Sequence, residues 1–431
     1  MQISVKREEI LDGVSFTEII DKKFKTNVVK VMFVTKLSEK EAPLNTFASM
    51  LLSSTNSRIK TNFEMSDVLN ALYDSTLRSG IVTYGDSQIV EFTIGCIDNR
   101  FALDNDDILG QLLDILEDCL FSPNVSDGKF DEDEFRLRKK ELIDIINSEM
   151  NNKRYYAFNQ ACKSIFVGEP SAFSHYGDIE TAENIKSEEV YEAYKKLIKT
   201  SHVEIYYVSP TGEFPVKERF KKAFSQVERE PVEGIMRTPS PVKPEVLYKE
   251  ESCEMLQAQV VMAYKTHHEN VDACGLFSRI LGGTAFSKLF VNVREKQSLC
   301  YYCSSSYIQS KGTVYIVSGV ENDNCEKLVK AVDEQIEAIR KGEFTDEEFY
   351  NTKLFIVNNM RSRSDFPGSL ASWYFSGYCS GEIISLEEGM EKIMNVTREQ
   401  IIEVANTLVL DTVYTLKADR TNMEGGQEDG E

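Results

Sequence analysis

Residues Ile280–Tyr302 read ILGGTAFSKLFVNVREKQSLCYY. Gly282-Gly283 interrupts the helical pattern before it, and Phe286–Glu295 then predicts a helix with Leu289, Phe290 and Val293 on one side. Gln297–Ser298 ends that helix and Leu299–Tyr307 reads as a strand. Outward from this stretch, GTVYIVSGVE at Gly312–Glu321 predicts another strand and CEKLVKAVDEQIEAIR at Cys325–Arg340 an amphipathic helix. FTDEEF at Phe344–Phe349 then opens a long helix through Met360.

The same order occurs earlier in the chain. QIVEFTIGCI at Gln88–Ile97 alternates as a strand, DDILGQLLDILEDCL at Asp106–Leu120 has helical spacing, and FDEDEF at Phe130–Phe135 opens a long helix through Ile146. The copies lie roughly 210–225 residues apart, which reads as an internal duplication. Between them Val227–Lys249 carries prolines at 231, 239, 241 and 244 and no periodicity, the mark of a connector. The expected fold class is α+β: two similar domains, 1–226 and 250–421, joined by a linker at 227–249. In each, helices cover an antiparallel sheet, as alternating strands such as Val29–Thr35 and Ala258–Tyr264 suggest. The acidic, Gly-rich end at 422–431 is expected to be disordered.

Of 431 residues, 70 are Asp or Glu and 49 are Lys or Arg, a net charge of −21. That balance argues against a nucleic-acid binder and against docking to an anionic membrane, and leaves a basic partner open. The N-terminal MQISVKREEILDGVSF contains no apolar core of a secretory signal, and no run is long enough to span a membrane. Nine scattered Cys read as reduced thiols of a cytoplasmic protein. Cys300 and Cys303 form a CxxC, but on a regular strand residues three apart face opposite ways, which predicts two separate core thiols.

The Ile280–Tyr302 run resembles the pitrilysin-like (M16) metallopeptidase family, which also includes the mitochondrial processing peptidases. Its C-terminal domains carry GGG-x-S-S-x-L-F-x-x-V-R-E-K-x-G-L-A-Y. Phe286–Phe290 and Val293–Lys296 match that run, Leu299-Cys300-Tyr301 stands for Leu-Ala-Tyr, and Ser298 replaces a Gly. The resemblance implies two LuxS/MPP-like domains per chain forming half of a clamshell, with two chains per particle. It also implies an Arg and a Tyr seven residues apart that face a zinc site on another domain; Arg294 and Tyr301 have that spacing. A tyrosine hydroxyl can donate to a developing oxyanion and a guanidinium can hold peptide carbonyls. Taken by themselves, the two residues would equally suit a helix-terminal ion pair and a sheet-packing tyrosine.

Active family members carry His-x-x-Glu-His on the first long helix of the N-terminal domain, where two His bind zinc and the Glu activates water. The corresponding KEAPLNTFASMLLSS at Lys40–Ser54 has no His, and no His precedes His175. Glu141 and Glu149 lie where the family places its third ligand, without an imidazole pair. His267-His268-Glu269 is expected in a turn, and adjacent side chains diverge too much to imitate i, i+4 ligands; His175 and His202 stand alone. Neither a phosphate-binding loop nor Gly-x-Ser-x-Gly occurs.

The expectation is therefore a pseudo-peptidase with no catalytic residue and no metal of its own. Arg294 and Tyr301 would bind peptide substrate, and zinc would reside in a zinc-bearing M16 paralogue with which this chain forms a heterodimer. The similar-looking subgroup is the bacterial YfmF type, associated in name with 5-aminopentanol modification of elongation factor EF-P. The alternative is a purely structural or peptide-binding M16-fold protein without a part in proteolysis.

Overall fold

The computed structural model describes residues 3–231, 234 and 238–419. The tail at 422–431 and part of the linker lie outside the described residues. The described chain divides into two compact units, one of residues 3–147, 173–231 and 363–383, the other of 148–172, 238–362 and 384–419.

The first unit contains β1 (Ser4–Leu11), β2 (Val14–Ile20), β3 (Thr26–Lys36), α1 (Glu41–Leu52), α2 (Asn62–Ala71), β4 (Thr76–Tyr84), β5 (Ser87–Ile97) and α3 (Ile108–Phe121). A two-residue hairpin, β6 (Val125–Ser126) with β7 (Lys129–Phe130), leads into α4 (Glu132–Asn151). Helix α5 (Lys153–Ile165) follows, then α6 (Ile179–Asn184), α7 (Ser187–Thr200), β8 (His202–Ser209) and α8 (Val216–Phe224). The sheet order is β1-β2-β8-β3-β5-β4, antiparallel except for the parallel pair β2 and β8. Alternation puts Val29, Val31 and Phe33 of β3, Val90, Phe92 and Ile94 of β5, and Val203, Ile205 and Tyr207 of β8 into one core beneath α1, α3 and α7.

The second unit repeats the plan: β9 (Leu247–Glu254), β10 (Ala258–Lys265), α9 (Val271–Gly282), a π-helix (Leu289–Lys296), β11 (Cys300–Ile308), β12 (Thr313–Val320), α10 (Cys325–Arg340) and α11 (Asp346–Arg363). Beyond them run α12 (Pro367–Ser380), α13 (Leu386–Asn395), α14 (Arg398–Thr407) and β13 (Val409–Asp419). The order is β11-β12-β10-β13-β9, again antiparallel apart from one parallel pair, β13 and β9. The duplication extends to single contacts. Lys139 on α4 donates to the carbonyls of Glu183 and Ile185, which close α6. Lys353 on α11 donates to those of Met394 and Val396, which close α13. In both places an ammonium satisfies the orphan carbonyls of a helix end.

Domains 1–226 and 250–421 were expected from the linker; the compact units exchange one segment each. Helix α5 packs on β10 and β13, and α12 packs on β3 and β8. Ala157, Ala161 and Ile165 recur every four residues, a narrow face that sits against Val261, Ala263, Val317, Tyr414 and Leu416. Helix α12 instead covers a polar sheet face. There Lys30 pairs with Glu91 at 2.7 Å and reaches Ser372, while fully buried Glu204 is held by Arg7 and His202, whose ring stacks on Tyr378. Apolar periodicity identifies the buried side of each helix but not which sheet it covers, so the exchange leaves no mark in the sequence pattern.

A second charged cluster fastens α5 and the end of the linker to the second sheet. Lys243 pairs with Asp411 at 2.6 Å, and Lys311 pairs with Glu169 at 2.8 Å beside the Ser240 hydroxyl. Lys265 is buried among them, donating to the Ile165 carbonyl. Burial lowers its ammonium to about 8. The native state releases this proton before the unfolded chain does, so the unfolded state binds more protons between about pH 8 and the usual lysine range near 10.4. Over that window the wild type should gain stability relative to Lys265→Met, by about 1–3 kcal/mol, in urea titrations run at successive pH values. A difference that stays flat with pH would show that Lys265 keeps an ordinary ammonium.

Candidate functional site

Helix α9 ends at Gly282, where an added Cβ would stand 2.7 Å from the Ser305 backbone nitrogen on β11. That close approach sets the turn into the π-helix Leu289–Lys296. A regular helix was expected over Phe286–Glu295; the wider i→i+5 winding replaces it, a form that recurs at functional positions. Leu289 and Val293 are buried as their spacing predicts, whereas Phe290 is half-buried with the Arg294 guanidinium 4.7 Å above its ring. Ser298 has φ +52°, the left-handed conformation that Gly adopts freely. This accounts for the Gly in the related motif and implies a cost of about 1–2 kcal/mol for Ser here.

β11 is an edge strand with a bulge. Cys300 lies opposite Val320 and Tyr302 opposite Gly319, so Tyr301 is the extra residue and is pushed outward. It is 53% exposed, and its hydroxyl donates to Glu321 Oε1 at 2.8 Å. The Arg294 side chain is 40% exposed, with Nε 3.6 Å from Glu295, and its charge acts on Cys300, the residue next to Tyr301. Both motif residues thus lie at the surface beside one sheet edge.

The bulge also corrects the expectation for the CxxC. Cys300 faces with Val320 and Cys303 with Ser318, and those two β12 residues are two apart on one face. The thiols therefore share the helix-covered core instead of facing apart, and Cys303 donates a hydrogen bond to Cys300. Three-residue spacing gives opposite faces only on a regular strand, and nothing in CYYC announces the extra residue.

Helix α1, where the zinc-binding His pair would stand, carries a neutral network. Asn45 Nδ2 donates to Gln88 Oε1 at 3.0 Å, Gln88 Nε2 donates to the Ala42 carbonyl at 2.9 Å, and the Thr46 hydroxyl donates to the His175 carbonyl at 2.6 Å. Asn45, Thr46 and Gln88 are buried and mutually satisfied. No group of three or more potential metal ligands occurs among the described residues. The residues present do not fit zinc: amide and hydroxyl groups already consume one another's bonds, and the nearby His175 ring is pushed by burial down to about 4. Glu141 pairs with Arg138, and Glu149, raised by burial, accepts from Asn159. His268 accepts from the Asn270 N–H in the turn before α9, as a turn residue would, and His202 belongs to the Glu204 cluster. The Asn45–Gln88 pairing was not visible in sequence, where the two residues are separated by β4 and α2 and carry no spacing signal.

Comparison with known proteins agrees with this geometry. Residues 184–354, which include Arg294 and Tyr301, match the family model "Peptidase M16 inactive domain". The chain is M16-like. A Bacillus subtilis (strain 168) protein named "Probable inactive metalloprotease YmfF" is 27% identical over 375 residues, 85% of this chain and 87% of the relative. An "Uncharacterized zinc protease" of Rickettsia bellii is 23% identical over 70% of this chain and 74% of its own length. Among solved structures, a conserved protein from Enterococcus faecalis V583 superimposes with TM-score 0.88 at 23% identity, covering 96% of this chain and 99% of the other. An M16 inactive-domain protein from Pseudomonas fluorescens gives 0.79 at 15% identity, with 96% and 98% covered. Residues 184–354 thus resemble an inactive M16 domain, and the chain has an α+β fold. None of its described helices is long and apolar enough to cross a membrane.

Replacing Gln88 with Leu should cost about 1–3 kcal/mol, since it strands the Asn45 amide in the core; chemical denaturation measures this. Dialysis against EDTA should leave the Tm of the purified chain unchanged. A Tm drop reversed by added zinc would reveal a structural metal that this account excludes.

Proposed function

We propose that this chain is the non-catalytic subunit of a composite M16-type zinc peptidase. A zinc-bearing paralogue would supply the metal and its general base, and this chain would supply Arg294, Tyr301 and half of the substrate chamber. The observation that carries the reading is the contrast between two sites on one chain. The α1 position is filled by self-satisfied neutral groups, whereas half-buried Arg294 and exposed Tyr301 reach the surface on a π-helix and a bulge. Such local irregularities serve to aim side chains. The name of the B. subtilis relative, an inactive metalloprotease, fits the missing ligands.

In such a complex the chemistry divides simply. A zinc ion held by the partner would supply a Lewis acid for the scissile carbonyl and an activated water. The Tyr301 hydroxyl leaves Glu321 and donates to the oxygen as negative charge builds on it, a bond worth more in the transition state than in the bound peptide. Arg294 offers fixed donors to substrate carbonyls and sets the register of the peptide. A cytoplasmic setting is part of the same reading, since all nine Cys are free thiols. EF-P modification enters only through the subgroup resemblance.

One observation favours the second reading, a structural or peptide-binding protein: the Tyr301 hydroxyl already has an acceptor in Glu321. Reconstitution with the zinc-bearing paralogue separates the two. Tyr301→Phe should lower kcat by about 10²–10³-fold, as loss of one oxyanion donor does elsewhere, with Tm unchanged. Arg294→Ala should act mainly on KM. Equal peptide hydrolysis by wild type and both variants would leave the structural reading standing.

A further inference from the structure

The Cys300–Cys303 pair takes no part in the proposed peptide chemistry, and its placement is unusual. Across the bulge the two residues align with Val320 and Ser318, positions two strand residues apart. Two residues of strand rise are about 6.6 Å, within the roughly 4.4–6.8 Å that Cα atoms span in disulfides. On a regular strand a CxxC could not close. Here the extra residue, Tyr301, brings both Cys to one face of the strand and into one buried cluster. The Ser318 hydroxyl, bonded to the Tyr302 carbonyl at 2.7 Å, also reaches both thiols.

We propose that Cys300 and Cys303 are a redox-active dithiol that closes to an intrastrand disulfide beneath Tyr301. Cys300 is the attacking sulfur. The hydrogen bond from Cys303, together with the Arg294 charge, holds its thiol below the usual range, whereas the Cys303 thiol is held above it. The oxidant is a small-molecule disulfide of the glutathione class. The Cys300 thiolate attacks one of its sulfurs and expels a thiolate, leaving a mixed disulfide. Cys303 gives up its proton to solvent, attacks the Cys300 sulfur and expels the second small thiol. Two protein thiols are oxidised, and one disulfide is reduced to two thiols. Each of the two residues is less than a tenth exposed, so closure requires local opening of the edge strand. Its consequence is local: the bridge pins the bulge that presents Tyr301 and lies beside Arg294.

The test uses the full chain, reduced, desalted and equilibrated at rising ratios of oxidised to reduced glutathione, then denatured, alkylated and digested. The peptide containing Cys300 and Cys303 should escape alkylation and lose about 2 Da, while Cys274 and Cys325 of the same core alkylate fully. Cys303→Ser should stop at a glutathione adduct on Cys300. Full alkylation of both residues at every ratio, or a wild-type adduct that never closes, would overturn the proposal. A second arm rests on the peptide-binding reading above: oxidation should change peptide affinity several-fold in wild type and not in Cys300→Ser, which lacks the attacking thiol and forms neither adduct nor bridge there. A bridge that forms without altering affinity would overturn its regulatory part, whereas failure of peptide binding in the reduced chain as well would point to that reading.

Discussion

One extra residue in β11 organises the sheet edge that carries the motif residues. A strand that continued in register would turn Cys300 and Cys303 to opposite faces and aim Tyr301 elsewhere. The bulge sends Tyr301 to the surface, gathers the two thiols beneath it and brings the Arg294 charge to bear on Cys300. Its approach is prepared by two further irregularities, the π-helix Leu289–Lys296 and the left-handed Ser298. Three departures from regular geometry within about a dozen residues cost several kcal/mol between them. A purely structural edge strand would need none of them.

The first unit holds the counterpart of this design. At α1 the fold keeps a buried polar spot, but Asn45, Gln88 and Thr46 fill it with bonds to one another and to backbone. The network is neutral and its amide and hydroxyl donors bond within the chain, which stabilises the helix. At this point α1 is thus held by bonds within the chain.

The sequence disclosed the duplication, the helix-covered sheets and the motif, because each is written in apolar periodicity or in a contiguous run. Other features have no such signature. The exchange of α5 and α12 depends on which sheet face accepts a helix, and Ala157, Ala161 and Ile165 look the same whichever sheet they meet. The parallel pairs at β2 with β8 and β13 with β9 depend on chain return, not on composition. The bulge escaped detection because CYYCSSSY alternates equally well with or without an extra residue. Gln88 and Asn45 met only in three dimensions. Repeated lysine caps at Lys139 and Lys353 show that the shared plan of the two units reaches single side chains.

The division of labour between chains is tested most directly by mixing. The purified chain and a zinc-bearing homologue encoded in the same genome are assayed separately and together for hydrolysis of a peptide library, with the mass of the mixture followed by light scattering. The account predicts that this chain alone is inert, that the two form a one-to-one complex, and that peptidase activity depends on that complex. Full activity of the homologue alone, with no association on mixing, would contradict it.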